Sequence, residues 1–466
     1  MPHRPVTKLQ QLANFVAGAR YEELSEDARQ QLKLRVLDSL GCALGALGAG
    51  VPDMVLEQER DFGGTPHAAL IGSGRSAPDR AALYNGALVR YLDFNDSFLS
   101  PGETCHPSDN LAPVLAAAEY AGADGRTLMC ALAVAYQVQI RLSEQAPVRA
   151  KGFDHTVQGS YAVAAGVSRA LGLDPGRTAN AVAIAGTSLN ALRVTRTGSL
   201  SHWKGLAYPA TAFGATHAAF LAMRGITGPR EVFEGNKGFS DAIAGEFELD
   251  WSAEDLEAVT RTILKKFNAE IHSQSAIEAL LELRSQNGID PRQVERIELN
   301  TFQVAYDIIG GGEEGSKHEV QTKEEADHSL PYLLAVALLD GQVLPEQYLA
   351  QRIASDDVQD LLRRVEVRPE DSLSHRFPER HSAHIRIHLR DGQVLEREQH
   401  DYEGFTTRPM SWDTVAAKFD RLAEGRADQQ QLQRIKDAVA DLERLEVEEL
   451  TALLSPLDST NRLESR

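Results

Sequence analysis

Between Asp93 and Asn110 the chain gathers Asp93, Asp96, Ser97, Thr104, Cys105, His106, Ser108 and Asp109 into one short stretch. Carboxylates beside an imidazole are groups that move protons, because histidine titrates near neutral pH and a neighbouring carboxylate can orient it. The flanks read as apolar helices, Ala81 to Leu92 before it and Leu111 to Ala118 after it. Polar groups anchored at both ends by buried helices are fixed in space, as acid–base chemistry requires. A helix-capping turn would use the same residue types, so the segment alone leaves both readings open.

Three further stretches could carry chemistry. Asp154 and His155 lie between two expected helices, and Arg193, Arg196, His202 and Lys204 form a cationic loop in an alanine-rich region. Glu270, His272 and Gln274 sit where the character of the chain changes. Singly, each has a plainer account: a capping histidine or a solvated basic loop. Jointly, at helix ends in an acidic chain, they point to one shared pocket. Arg193, Arg196 and Lys204 suit carboxylates, Arg through a bidentate fork and Lys as a point charge. Removing a proton beside a carboxylate builds enediolate charge, which fixed cations stabilise in a water-poor site. A metal on Asp93, Asp96 and His106 would supply the same charge, and at this level that alternative stays open.

The elements that must position these groups are mostly helical. Ser25, followed by Glu26 and Asp27, predicts a helix start, with Ala28, Leu32, Val36, Leu40 and Leu44 at helical spacing after it. Ser76 to Asp79 reads as a capping box, Asp124 precedes a helix over Leu128 to Leu142, and Asp174-Pro175 opens another. Ala- and Gly-rich helices such as Ala179 to Gly186 predict close helix–helix packing. Near residue 270 the pattern changes. Glu295 to Thr301 alternates as a strand does, Arg364 to Val367 continues the theme, and Ala383 to Leu389 leads through Asp391-Gly392 into Val394 as a hairpin with a two-residue turn. Helices are expected at about 273–285 and 328–339, and again at 411–419 and 430–454. The division is therefore a helical domain over 1–268, an α+β domain over 269–403, and a return to the helical domain over 404–466, its last dozen residues frayed. The fold class is mainly α plus α+β.

At 466 residues and a formal charge of −19, the chain is long enough for two domains and repels nucleic acid and anionic membranes. Apolar content of 42% with 25% charged residues is that of a soluble globular protein. No uninterrupted run of about 18 apolar residues and no signal-peptide core is present, so a cytoplasmic protein is expected. Cys42, Cys105 and Cys130 are too scattered for a disulfide framework or a paired-cysteine metal site; Cys105, beside His106, is the one considered as a reactive thiol. Gly310 to Gly315 lacks the strand-to-helix setting of a phosphate cradle and reads as a mobile loop, so no nucleotide cofactor is indicated.

Taken together, these segments resemble the MmgE/PrpD family, which includes 2-methylcitrate dehydratases and cis-aconitate decarboxylase. The resemblance rests on Asp93 to Ser97 followed by His106 to Asn110, on Ala191 to Gly205, on Glu270 to Glu278, and on Ala326 to Tyr332. It spans about residues 8 to 455. It implies a helical domain built from both chain ends with a smaller α+β lid inserted, a homodimer, and catalysis without metal or organic cofactor. By position it implies Asp93, His106, His155 and Lys204 as catalytic residues, with Ser97, Asp96, Arg193, Arg196, His272 and Tyr306 around the substrate. Ser97 stands where the decarboxylase has Thr, and Tyr306 is placed in spite of different local spacing. The Asp93 to Asp96 and His106 to Asn110 spellings are more like the MmgE-type dehydratases than the decarboxylase. The implied activity is dehydration of 2-methylcitrate in propionate catabolism, with citrate as a second substrate. One histidine would remove the proton and another acid would protonate the departing hydroxyl, with Asp93 orienting a histidine. Rival readings are cis-aconitate decarboxylation, epimerisation of an iminodisuccinate, and a non-catalytic carboxylate-binding protein.

Overall fold

Secondary structure follows capping chemistry closely along most of the chain. The computed structural model describes residues 6–455 and 457 of the 466. The fraying expected at residues 455–466 thus falls almost wholly outside the described residues. The chain divides into two compact units. One comprises residues 1–195, 205–262 and 411–466, and the other residues 196–204 and 263–410. The changeovers lie at Ile263 and Ser411 rather than at 269 and 404, and the short segment Arg196–Lys204 groups with the α+β unit.

The first unit is helical: α1 (Lys8–Gly18), α2 (Glu26–Gly45), α3 (Gly50–Phe62), α4 (Pro78–Tyr91), α5 (Leu111–Ala121), α6 (Gly125–Gln145), α7 (Thr156–Ala170) and α8 (Pro175–Ser188). Helix α9 (Trp203–Met223) begins in the segment grouped with the other unit and continues in this one. Ser25 caps α2 through Ala28 N–H, Asp124 caps α6 through Thr127 N–H, and Asp174 caps α8 through Arg177 N–H. Each supplies an acceptor to an otherwise unpaired first-turn donor. The capping box expected at Ser76 does not form. Ser76 pairs with Ala68 in a two-residue ladder, and α4 starts on Pro78, whose missing N–H needs no partner there.

Helix α2 is buried from Leu32 to Leu44, polar residues included. Those polar residues are tied to partners. Arg35 donates to Thr262 Oγ1 (2.9 Å) and to the Thr262 carbonyl (2.7 Å), Lys33 to the Ala440 carbonyl (2.7 Å), and Asp38 pairs with Lys418 (2.6 Å). Lys418 belongs to a C-terminal helix, so buried charge pairs fasten the two chain ends into one unit.

The second unit carries α10 (Gln274–Asn287), α11 (Leu330–Asp340) and a four-stranded sheet. Two short strands of the helical unit, β1 (Phe98–Ser100) and β2 (Glu103–Cys105), come earlier, so the sheet strands are β3 (Val294–Thr301), β4 (Val365–Pro369), β5 (Ala383–Leu389) and β6 (Val394–Gln399). Their order is β4-β3-β5-β6, with β3 and β4 parallel and the rest antiparallel. Ile297, Leu299, Ile385 and Ile387 share the buried face and form one core with α10 and α11. Alternation along the strands makes this possible, since a one-residue slip would turn the isoleucines outward. Glu396, Arg397 and Glu398 lie on the edge strand β6, where charge opposes pairing with another sheet. The β5–β6 turn has three residues, Arg390, Asp391 and Gly392, instead of the expected two. Gly392 takes φ +90°, the left-handed position that such a turn assigns to glycine.

The C-terminal segment forms α12 (Trp412–Leu422), α13 (Gln429–Ala440) and α14 (Val447–Leu454). The single helix expected over 430–454 is interrupted at Leu442–Arg444, because the backbone of Leu445 and Val447 pairs instead with Gly125 and Ala123. Among the described residues no single helix is long and apolar enough to cross a membrane.

Candidate active site

In the helical unit the segment 93–110 is a folded hairpin. Phe98 pairs with Cys105, Leu99 with Thr104 and Ser100 with Glu103. That register brings the next residues out, Ser97 and His106, side by side: Ser97 Oγ lies 3.0 Å from His106 Nδ1. The same Nδ1 is 2.8 Å from the Asp96 carbonyl, which can only accept, so Nδ1 carries a proton and the ring is fixed in orientation. The Asp96 carboxylate accepts from Ser108 N–H and from the Tyr136 hydroxyl, each at 2.9 Å. Burial pushes the Asp96 carboxyl upward, opposed by the bonds from Ser108, the charge of Arg35 and the bond from Tyr136. Asp96 thus holds the backbone that holds His106.

Asp93 has φ +54°, a left-handed conformation uncommon for a residue with a Cβ. Its carboxylate is clamped by buried Arg90 at 2.5 Å, and Arg90 also reaches Asn95 Oδ1 (3.3 Å) and faces Asp109 (3.7 Å). Asn95 donates to Ser108 Oγ and Asp109 Oδ1, closing the loop on itself. From α12, Lys418 donates to the Phe94 carbonyl (2.7 Å). The strained residue is therefore held from several directions, the condition under which such strain persists.

His155 is the residue before α7, and its ring centroid is 5.6 Å from that of His106, edge to face. Its Nε2 is 3.8 Å from Asp154 Oδ1. On another side it faces Tyr208 at 6.2 Å, whose hydroxyl lies 3.0 and 3.1 Å from Asn110 Oδ1 and Gln139 Oε1 and donates to one at a time. Arg193 enters by its backbone, donating to the Gly152 carbonyl (2.9 Å), while Phe153 bridges Leu192. Burial raises the Glu103 carboxyl, although Val148, Arg149 and the charge of Arg193 draw it down. The Cys105 thiol is pushed well up by burial, which removes the thiolate that reactivity needs.

The α+β unit holds a second cluster. Lys204, 3% exposed, has Nζ at 3.1 Å from Asp327 Oδ1 and 3.0 Å from His328 Nδ1. Lys323 reaches Asp327 Oδ2 at 2.6 Å, and His328 Nδ1 reaches Oδ1 at 2.5 Å. Burial would raise the Asp327 carboxyl, but the charges of Lys204, Lys323 and His328 hold it far below the carboxylate range. Arg196 donates to the Lys204 carbonyl at 3.4 Å. His272 is fully buried with Nδ1 2.6 Å from Glu270 Oε1, and the Glu270 N–H donates to the Asp327 carbonyl, joining the two loops. Tyr306 opens the turn Tyr306–Gly310 and packs against Gly310. The Gly310–Gly315 stretch, read as a mobile loop, is tied back by bonds from Gly312 N–H to Tyr306 and from Glu314 N–H to Asp307.

The helical unit thus brings together Asp93, Asp96, Ser97, His106 and His155, and the α+β unit brings Lys204 and Arg196 to Asp327 and His328. Sequence reasoning assigned no role to Arg90, Glu270, Tyr208, Asp327 or His328. Arg90 and Glu270 had a local signal, since Arg90 precedes Asp93 by one helical turn and Glu270 precedes His272 by two residues. Asp93, Asp96 and His106, the set considered for a metal, are each engaged by a different protein group. The helical unit, taken by itself, holds two neighbouring imidazoles, and the α+β unit, taken by itself, holds a buried aspartate between two lysines.

Comparison with known proteins assigns the chain as a whole to a family. Residues 10–252 match the MmgE/PrpD N-terminal domain and residues 267–444 the MmgE/PrpD C-terminal domain. The chain is 28% identical to the mitochondrial 2-methylcitrate dehydratase of Yarrowia lipolytica, over 96% of this chain and 89% of the relative. It is 30% identical to the 2-methylcitrate dehydratase of Salmonella typhimurium over 75% of each chain, and 26% identical to the cis-aconitate decarboxylase of Mus musculus over 97% and 95%. Two domain matches that together span most of the chain mean that it belongs to the MmgE/PrpD family.

Proposed function

We propose that this chain is a hydro-lyase that dehydrates 2-methylcitrate to 2-methylaconitate, with citrate as a second substrate. The observation that carries the reading is His106. Its Nδ1–H is committed to the Asp96 carbonyl, which fixes the ring, and its centroid lies 5.6 Å from that of a second imidazole, His155. In this proposal His106 removes the proton beside a carboxylate and the C–H electron pair becomes an enediolate. Lys204, with Arg193 and Arg196, neutralises that charge. His155, protonated, gives its proton to the departing hydroxyl, which leaves as water while the carbon–carbon double bond forms. Asp93 and Asp96 are assigned to positioning, Asp93 through Arg90 and Asp96 through its own carbonyl; Ser97, His272 and Tyr306 are assigned to the substrate. No metal or organic cofactor takes part in this scheme. We further propose a cytoplasmic homodimer; cysteines that are buried and carry no disulfide suit a reducing compartment.

The mouse cis-aconitate decarboxylase match, which spans nearly the whole chain, favours decarboxylation as the second reading. Purified protein incubated separately with 2-methylcitrate, citrate and cis-aconitate separates the two. Ultraviolet absorbance from a new conjugated double bond with the first substrate, and no carbon dioxide with the third, is the expected result. Carbon dioxide from cis-aconitate without dehydration of either hydroxy acid would overturn the dehydratase reading.

A further inference from the structure

Lys317 is a cation that the α+β unit holds in place without supplying an anion. Its backbone is pinned on both sides. Ser329 Oγ donates to the Lys317 carbonyl at 2.6 Å and accepts the Tyr332 N–H at 3.1 Å, so the hydroxyl that caps α11 also seats residue 317. The next residue, His318, donates from Nε2 to the Val365 carbonyl of β4 at 3.0 Å. The Lys317 side chain is partly buried, and among the described residues its ammonium meets no hydrogen-bond or ion-pair partner. A lysine that serves only solubility extends its head into water from an unrestrained loop. This one is seated instead.

Ser329 directly follows Asp327 and His328, so the bond from its hydroxyl brings Lys317 to the lysine cluster with a four-carbon stem to spare. The carboxylates of that neighbourhood are committed elsewhere. Asp327 serves Lys204 at 3.1 Å and Lys323 at 2.6 Å. Glu270 accepts the His272 backbone N–H at 2.7 Å and meets its Nδ1 at 2.6 Å. Glu325 accepts the N–H groups of Gln321 and Thr322 at 2.9 and 3.1 Å. Two cations already share Asp327, and Lys317 adds a third charge. Burial pushes the Lys317 ammonium down; Glu314 opposes that, and the like charge of Lys204 pushes it down further against Glu270 and Glu325. Two like charges in a partly buried place are stabilised by an anion set against both. A carboxylate is such an anion: it favours the charged form of the lysine and takes charge-assisted hydrogen bonds from it.

We propose that Lys317 binds a carboxylate of the substrate, forming with Lys204 a two-lysine anion site in the α+β unit. The assignment rests on the lyase reading above and involves no proton transfer. Lys317 holds its carboxylate in the ground state and the transition state alike, so it acts on affinity rather than on rate.

The test has two arms, so that its failure and the failure of the lyase reading can be told apart. The first is calorimetric titration of the full chain at fixed ionic strength with tricarballylate, which has the three carboxylates of citrate and no hydroxyl to lose. Lys317→Met should weaken binding by at least about tenfold, the loss expected for a hydrogen bond to a charged group. Lys317→Gln decides this arm if the Met variant does not fold. Lys237→Met removes an exposed lysine of the helical unit and should leave the affinity unchanged. Inorganic phosphate should bind wild type more weakly than tricarballylate does. No binding of tricarballylate to wild type, unchanged affinity in a folded Lys317 variant, an equal loss in Lys237→Met, or tighter binding of phosphate would each overturn the proposal. The second arm is steady-state dehydration of 2-methylcitrate. The Lys317 variant should raise KM by at least about tenfold while kcat moves less than about threefold, the split expected when uniform binding is lost. A loss confined to kcat would refute the assignment. If no hydroxy acid turns over at all, the lyase reading fails and the calorimetric arm still decides whether Lys317 holds a carboxylate.

Discussion

Replacing Asp327 by Asn removes one negative charge from between two lysines and changes almost nothing in shape. Asp327 is fully buried and receives Lys204 Nζ at 3.1 Å and Lys323 Nζ at 2.6 Å. At an effective dielectric of about 20, each contact is worth about 5–6 kcal/mol before desolvation is counted. Desolvation offsets most of that, and removing one partner of a buried pair costs about 3–5 kcal/mol net. Native-state hydrogen exchange in α11, which begins three residues after Asp327, reads this cost where it acts. Amides that exchange by opening of the α+β unit should exchange faster by roughly two to four decades at neutral pH. The Asp327 carboxyl is depressed in the folded protein, so its contribution is full above the unfolded carboxylate value of about 3.9 and is lost as pH falls through the lower folded value. Wild type and variant should therefore differ fully down to about pH 4 and converge only below it. Lys204 loses its anchor as well, and kcat/KM should fall by roughly tenfold or more. A change in exchange smaller than about tenfold at neutral pH would refute the claim that Asp327 holds the lysine cluster together.

Other consequences are closer to the histidines. A Cβ at Gly159 would stand 2.5 Å from the Tyr208 ring, so Gly159→Ala should cost about 1–3 kcal/mol by overpacking and move Tyr208 off His155. Thermal melting and dehydration rates on the same sample should both fall. Burial keeps Cys105 protonated, so native protein treated with iodoacetamide at neutral pH should show no mass increase at Cys105 and no loss of activity; rapid alkylation there would contradict the buried placement. Arg90→Met should release Asp93 from its left-handed conformation and take one cation away from two buried carboxylates, a loss of about 3–5 kcal/mol measurable in urea titrations.

Local chemistry made much of this fold readable. Ser25, Asp124 and Asp174 cap the helices they announce, since an acceptor before an apolar helical run has few other uses. Strand alternation in Glu295–Thr301 and Ala383–Leu389 likewise matches one buried face. Misreadings arose where a tertiary partner competed. Ser76 gave up its cap for a ladder with Ala68, and the helix expected over 430–454 broke where Leu445 and Val447 found backbone partners near Gly125. Within the site, Ser97 and His106 were legible as residue types, but their contact comes from the hairpin register. Asp327 and His328 carried no visible role because their meaning lies in Lys204, more than a hundred residues away in the chain. Glu270 stands two residues before His272 in the sequence, yet only the folded chain distinguishes a hydrogen-bonded pair from two nearby polar residues.

The central claim is that the two histidines of the helical unit move the protons. It is tested most directly by the turnover of 2-methylcitrate in His106→Asn, His155→Asn and the double variant, each checked for folding. The account predicts that each single change lowers kcat by roughly 10²-fold or more and that the double variant is scarcely slower than the worse single one, as groups acting as a unit behave. Near-normal turnover in both folded single variants would contradict it.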